Sequence, residues 1–283
     1  MQNNVYYRIK SKYFEVDYLL LKNELKEADP ILKYMYELAT RRNLYSGEIM
    51  TLYLISKQAF YRNNWYVLVD AAKKLINLSK ENNFDKFLPG IYNVLGVYNK
   101  HKGNHKEAID NFQKSISYYK ASDNISEIVK PINNIGGVYF EHYKDDEKAL
   151  EYFREGYELA KEHSLTYGLA LFSLNLGEIY IEKLDMEKAL DYTKKSKEIS
   201  LSRDDFRITT MATINLIKIH LYRDDIKIVF DNFLDLKKLV KENIMSTQLE
   251  VEYHFLLAKL YGYLKNMNKA LKNIKLVKAI YRL

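Results

Sequence analysis

Apolar side chains recur at three- and four-residue spacing through most of the chain, with polar residues between them. Residues 90–103 and 105–120 show the pattern clearly. The apolar positions are Ile91, Val94, Leu95, Val97 and Tyr98 in the first segment and Ala108, Ile109, Phe112, Ile116 and Tyr119 in the second. This spacing places the apolar residues of each segment on one face of an α-helix. A short turn separates the two segments, so the pattern predicts an antiparallel helical hairpin.

The hairpin pattern recurs along the chain. The stretches HKGNHKEAIDNF, HYKDDEKALEYF and EKLDMEKALDYT begin at His101, His142 and Glu182, which gives a nearly constant interval. The residue that marks each second helix recurs at Leu68, Ala108, Ala149, Ala189, Ile228 and Ala270. A second small residue lies twelve positions before four of these markers, at Gly96, Gly137, Gly177 and Ala258. Small residues at these places allow two helix axes to approach closely.

Such a hairpin cannot bury its apolar face alone, so consecutive hairpins must stack. About six stacked hairpins are expected over residues 46–283. Residues 1–45 do not follow the period. They are interpreted as an N-terminal helical cap or a degenerate repeat, with helices over residues 13–28 and 30–43.

The spacing resembles the tetratricopeptide repeat, whose pattern combines a large residue, Leu-Gly, an aromatic residue, Ala and Phe. The clearest copy matches at Tyr92, Leu95, Gly96, Tyr98, Ala108 and Phe112. The resemblance implies an all-α fold, a right-handed superhelical solenoid of antiparallel helix hairpins. A period near 40, instead of about 34, is similar to that of the bacterial signalling members, which include peptide-pheromone receptors.

Composition agrees with a helical protein and restricts its chemistry. The 283 residues include only three prolines and ten glycines, and there is no cysteine. Disulfides and thiolate metal sites are therefore excluded, which favours a reducing, cytoplasmic location. No apolar run approaches the roughly 18 residues that a membrane span needs. The formal charge of +7 arises from lysines interleaved with acidic residues, so nucleic acid is an unfavoured partner.

The sequence contains no catalytic motif, so we expect a protein that is not an enzyme and needs no cofactor. His101 and His105 are four positions apart, but the turn at Gly103 separates them, and no metal site is predicted.

A column of asparagines is the strongest candidate for ligand binding. Asn93, Asn134, Asn175 and Asn215 recur with the period of the hairpins, each within a first helix, where asparagine is a poor helix former. In tetratricopeptide solenoids the first helices line the concave groove. The resemblance therefore implies that these amides clamp the backbone of an extended peptide. The alternative is that each amide bonds to the neighbouring helix and fixes the stacking of the repeats.

A row of basic residues lies eight positions after the asparagines, at His101, His142, Lys183 and Arg223. These residues can recognise carboxylates or phosphates of a ligand. They also lie at helix C-termini, where the helix dipole favours cations without any ligand.

Two functions remain open from the sequence. The first is a protein- or peptide-binding scaffold that forms the sensory module of a larger bacterial signalling protein, such as a diguanylate cyclase or a kinase. The apolar residues Leu276, Val277 and Ile280 near the C-terminus motivate it, because they need a cover, although this last helix can also be the cap itself. The second is a stand-alone peptide-pheromone receptor. A homodimer is open in both cases.

Overall fold

The described part of the computed structural model, residues 2–242 and 247–263, consists of α-helices joined by short turns, with no β-strand in that part. The helices are α1 (Gln2–Leu21), α2 (Leu25–Arg41), α3 (Tyr45–Tyr61), α4 (Trp65–Glu81), α5 (Leu88–His101), α6 (His105–Ala121), α7 (Ile125–Val138), α8 (Asp146–Glu162), α9 (Thr166–Glu182), α10 (Met186–Ser202), α11 (Phe206–Tyr222), α12 (Ile226–Glu242) and α13 (Thr247–Tyr263). A 3₁₀ turn (Asp85–Phe87) precedes α5, and a π-helical turn (Tyr139–Tyr143) follows α7. The prediction of an all-α fold built from repeated helical hairpins is confirmed.

The turns that join consecutive helices from α1 to α12 are nearly identical. Each contains one residue in the left-handed conformation, with φ between 48° and 79°. These residues are Asn23, Asn43, Asn63, Asn83, Gly103, Asp123, Lys144, Ser164, Leu184, Asp204 and Asp224. They follow one another at a constant interval, except across the π-helical turn, where the interval is longer by one. Asn, Asp and Gly tolerate positive φ best, which explains most of this list.

The chain divides into two units, Met1–Gly156 and Tyr157–Leu283, and the division falls inside α8. In the first unit, Ile9, Met35, Ile49 and Leu75 belong to a core shared by α1 to α5. A second cluster in that unit joins Phe112 of α6 to Ile135 and Val138 of α7. In the second unit, α11, α12 and α13 pack through residues that include Ile217, Phe233 and Leu256.

The first hairpin starts differently from the prediction. Helix α1 begins at Gln2 and α2 at Leu25, and Pro30 lies inside α2. Ala28 is buried at the fourth position of α2, as Leu68 is in α4 and Ala108 in α6. The division of the chain into a cap, residues 1–45, and a solenoid, residues 46–283, stays a prediction.

Two residues predicted from the spacing of the hairpins, Gly137 and Ile228, are wrong by one position. A Cβ on Gly96 would lie 2.4 Å from the ring of Phe112, as predicted for a close helix crossing. In the next hairpin the crossing residue is Gly136, where a Cβ would lie 2.4 Å from the ring of Phe153. Spacing predicts Gly137 instead, because the residue inserted by the π-helical turn lengthens this hairpin.

The same kind of error occurs in α12. Val229 is fully buried, whereas the predicted marker Ile228 is 42% exposed. Ala258 is buried in α13 as expected. Ala270 and the helix predicted for the C-terminal residues lie outside the described residues, and so do the residues that bear on whether this chain is part of a larger protein.

Candidate functional site

The first two asparagines of the predicted column meet in the first unit. Asn93 lies in α5 and Asn134 in α7, and the Nδ2 group of Asn134 donates a hydrogen bond of 3.1 Å to Oδ1 of Asn93. Both side chains are half-buried. Within the described residues neither amide makes another hydrogen bond. The Nδ2 group of Asn93 and Oδ1 of Asn134 therefore keep their capacity to donate and to accept.

A cavity of about 300 Å³ is lined by Asn93 of this amide pair but not by Asn134, and it lies on the surface that α1, α3, α5 and α7 form in the first unit. We call this surface the odd-helix face. The cavity is lined by Leu21, Tyr53, Lys57, Phe60, Tyr61, Gly90, Asn93, Val94, Val97, Tyr119, Glu127 and Lys130. Only Tyr119, at the end of α6, comes from an even-numbered helix. The side chains of successive odd-numbered helices thus build the cavity together.

The ring of Tyr53 depends on the absence of a side chain at Gly90. A Cβ on Gly90 would lie 2.7 Å from the hydroxyl oxygen of Tyr53 and 2.8 Å from Cε2 of its ring. The ring also contacts Phe87, at 5.2 Å between centroids. Gly90 and Phe87 therefore fix the position of Tyr53 in the cavity wall.

The lysines of the cavity wall are paired with carboxylates. Lys57 of α3 forms a salt bridge with Asp17 of α1. Lys130 and Glu127 of α7 are 2.9 Å apart. A ligand therefore meets charges that are already neutralised.

Three tyrosines of this region, Tyr13, Tyr53 and Tyr119, stay protonated. Burial raises the pKa of Tyr119 to about 12, and the nearby Glu127 adds to the shift. Burial also raises the pKa of Tyr13 to about 12, with Asp17 and Tyr119 contributing. The pKa of Tyr53 is raised by burial first and by Tyr13 and Tyr119 next. The hydroxyl groups are therefore neutral at physiological pH and can donate hydrogen bonds.

The other two asparagines belong to the second unit. Asn175 of α9 is half-buried and Asn215 of α11 is buried. They occupy equivalent places, each at the tenth position of its helix. That all four asparagines contact one ligand stays a prediction.

The residues of the predicted basic row make different kinds of contact with the rest of the protein. The ring of His101 stacks on Trp65 at 6.1 Å. The ring of His142 stacks on His105 at 4.1 Å, and burial followed by His105 lowers the pKa of His142. Arg223 donates to the carbonyl oxygen of Met186 at 3.0 Å.

Lys183 is exposed at the C-terminal end of α9. A role of these four residues in reading an acidic ligand stays a prediction.

Sequence reasoning missed Tyr53, Lys57 and Gly90 as site residues. A signal was present, because Asp17 and Lys57 are separated by one period of the hairpins, and so are Tyr13 and Tyr53. Residues at that separation lie side by side on successive odd-numbered helices, as the Asp17–Lys57 salt bridge shows.

Two further features concern the described residues alone. No group of three or more His, Asp or Glu side chains in residues 2–242 and 247–263 is placed to hold a metal ion. No helix in the same ranges combines the length and apolar character needed to cross a membrane.

A sequence model for the tetratricopeptide repeat matches residues 89–122, which span α5, α6 and the turn between them. No curated protein sequence matches the chain significantly.

Solved structures of two proteins, one of them in two states, are similar over almost the whole chain. RapI in its apo form has a TM-score of 0.70 at 15% identity, covering 97% of this chain and 98% of its own. The quorum sensor NprR from B. thuringiensis, in its apo form, has a TM-score of 0.67 at 13% identity, with coverages of 96% and 87%. NprR in complex with its cognate peptide NprX has a TM-score of 0.63 at 15% identity, with coverages of 94% and 76%.

Aspartyl phosphate phosphatase F from Bacillus subtilis has a TM-score of 0.65 at 20% identity, with coverages of 96% and 70%. At these identities the similarity establishes the fold. Together with the repeat matched at residues 89–122, it shows that the chain has the fold of tetratricopeptide-like helical repeats.

Proposed function

We propose that this chain binds an extended peptide, or an extended segment of a protein, on the odd-helix face, as a regulatory module of bacterial signalling. The observation that carries the proposal is the Asn93–Asn134 amide pair, in which Asn93 also lines a cavity built mainly by four odd-numbered helices. Binding would take place at the amide pair and the cavity together.

The open groups of the amide pair complement one peptide unit. Oδ1 of Asn93 is occupied by the bond from Asn134, so Asn93 offers its N–H groups to a ligand carbonyl. Asn134 offers Oδ1 to a ligand N–H group. One donor and one acceptor side by side recognise the backbone of a peptide without selecting its sequence, and the cavity supplies the contact with a side chain.

Two forms of this function are supported by different observations. A stand-alone peptide receptor is supported by the fold shared with NprR, which was solved with its cognate peptide. A sensory module within a larger signalling protein, such as a diguanylate cyclase or a kinase, remains the second form. In both forms the bound segment changes the activity of another domain or protein.

We further propose that the chain acts by binding and has no catalytic activity of its own. Phosphatase F shares the fold and is named as a phosphatase, so activity has to be tested directly. A cytoplasmic location and the absence of nucleic acid among the partners belong to the same proposal, and a homodimer is compatible with it.

The test is selection of peptides from a random-sequence phage library on the immobilised chain, followed by fluorescence anisotropy with the selected peptides. Changing Asn93→Ala and Asn134→Ala together removes about two ligand hydrogen bonds of about 0.5–1.5 kcal/mol each. We therefore expect the Kd to rise at least about fivefold. Asn111→Ala, on the even-numbered helix α6, is the matched control and leaves the Kd unchanged. A library without binders, or peptides that bind the double variant as tightly as the native chain, would refute the proposal.

A further inference from the structure

The cavity changes in character along the odd-numbered helices. Its lining begins with Gly90 and Asn93 on α5 and reaches Val97 one to two turns later. On α3 it begins with Tyr53 and reaches Phe60 and Tyr61. The N-terminal end of the cavity is therefore rich in hydrogen-bonding groups, and its C-terminal end is apolar.

The apolar end is incompletely covered by the protein. Leu21, the last residue of α1, is 71% exposed, and Tyr61, the last residue of α3, is 43% exposed. Both line the cavity. Removing such apolar surface from water favours the binding of an apolar group.

The charges of the cavity disfavour a charged group. The two cations that line it, Lys57 and Lys130, are paired with Asp17 and Glu127. Beside Lys57, a charged ligand side chain would have to displace Asp17 from a partly buried pair or be desolvated without a partner, and both processes are unfavourable. The Lys130–Glu127 pair is exposed and contributes less to this selection.

The size of the cavity limits what enters. A volume of about 300 Å³ is at the lower limit for ligand pockets. The ring of Tyr53 packs against Gly90, where any side chain would clash with it, and it forms the wall at the polar end of the cavity.

From these observations we infer that the cavity accepts one large, uncharged, apolar side chain of the bound segment, while the amide pair holds the adjacent peptide unit. This inference rests on the proposed function and specifies its ligand. The bound segment is thus a peptide with an apolar anchor residue, of the size of Leu or Phe, at the position next to the clamped backbone.

Five small probes test the inference on the full chain. They are the N-acetyl, N′-methylamide derivatives of Leu, Phe, Ala, Lys and Glu, which share two peptide groups and differ in the side chain. Titrations followed through the NMR signals of the Asn93 and Asn134 side-chain amides give a Kd for each probe. We expect the Leu and Phe derivatives to bind about tenfold more tightly than the Ala, Lys and Glu derivatives.

Leu21→Ser with Tyr61→Ser should abolish that preference without unfolding the chain, because both side chains are exposed. Leu201→Ser, at another exposed leucine in α10, is the matched control and should keep the preference. Equal binding of the five probes, a preference for a charged one, no binding, or a preference that survives the double change would overturn the inference.

The library selection separates this failure from failure of the proposed function. An asparagine-dependent peptide from the library, together with probes that show no apolar preference, refutes only the anchor. Absence of binding in both experiments refutes the anchor and the proposed function together.

Discussion

Gly136 and Gly137 are neighbours in α7, but only Gly136 is packed too closely for a side chain. Replacing each of them by alanine therefore tests the packing of α7 on α8. A Cβ at position 136 would lie 2.4 Å from Cε1 of Phe153 and 2.7 Å from Cδ1. A Cβ at position 137 would lie 3.5 Å from Oε1 of Glu141, an ordinary contact distance. Phe153 is buried, so its ring cannot move away into solvent.

The magnitude follows from the difference between the two variants. Both gain about 1 kcal/mol from the better helix propensity of alanine. Only Gly136→Ala must also displace the buried Phe153 ring, and overpacking of this kind costs about 1–3 kcal/mol. We expect Gly136→Ala to be less stable than Gly137→Ala by about 1–3 kcal/mol, which is a difference of several degrees in Tm for a chain of this size.

Thermal and urea unfolding, followed by far-ultraviolet circular dichroism, measures this difference. Gly136→Ala combined with Phe153→Leu should lose less than the sum of the two single changes, because the added methyl group fills part of the space left by the ring. Equal stability of the two glycine variants, a less stable Gly137→Ala, or additive single changes would contradict the described packing of α7 on α8.

Two further predictions concern single residues. Leu184 has a φ of 59° and is 61% exposed. Because Asn tolerates the left-handed conformation better than Leu, Leu184→Asn should raise the free energy of unfolding by about 1 kcal/mol. The control Leu201→Asn lies within α10 and should lower the free energy of unfolding slightly, because Asn is a poorer helix former than Leu. Urea unfolding measures both changes, and a destabilised Leu184→Asn would argue against the turn geometry. The pKa of His142 is lowered in the folded chain by burial and by His105, so the unfolded chain binds more protons and stability should fall as the pH drops below about 6.5. His142→Gln should reduce this dependence, as measured by unfolding at a series of pH values on either side of that point. An unchanged dependence in His142→Gln would show that this imidazole is not its source.

The hairpins were predictable because each one repeats a local pattern. Ala108, Ala149 and Ala189 are buried where the helices cross, as their regular spacing indicates. The first hairpin also carried a signal, since Asn23, Asn43, Asn63 and Asn83 are evenly spaced at half the hairpin period, and each has positive φ. A search for that shorter period would have placed α1 and α2 in step with the other helices.

The two errors of one residue have different causes. At Gly137 the error comes from the residue inserted after α7, which lengthens the distance from Gly136 to Ala149. At Ile228 no interruption is involved, because Val229 lies one regular period after Ala189 and the even spacing of the turns points to it. The backbone amide of Asp145 donates a hydrogen bond to the carbonyl oxygen of Tyr139 and closes the widened turn after α7. No local sequence motif predicts this insertion.

The candidate site was predictable only in part. Asn93 and Asn134 were found from their recurrence, and they are hydrogen-bonded to each other. The cavity was not found, because it depends on side chains from several helices and on the missing side chain of Gly90. Such features follow from the stacking of hairpins and are absent from the pattern of any single hairpin.

The uniform turns have a consequence for how such a gene can change. Since successive left-handed residues are evenly spaced, an unequal crossover between one turn and the next but one would add or remove one complete hairpin and leave every remaining helix in phase. A crossover that spans Tyr139–Tyr143 would carry one additional codon. The chain can therefore lengthen or shorten by whole hairpins on either side of that turn. An exchange that includes the inserted residue changes the length of the chain by one residue more or less than a regular hairpin.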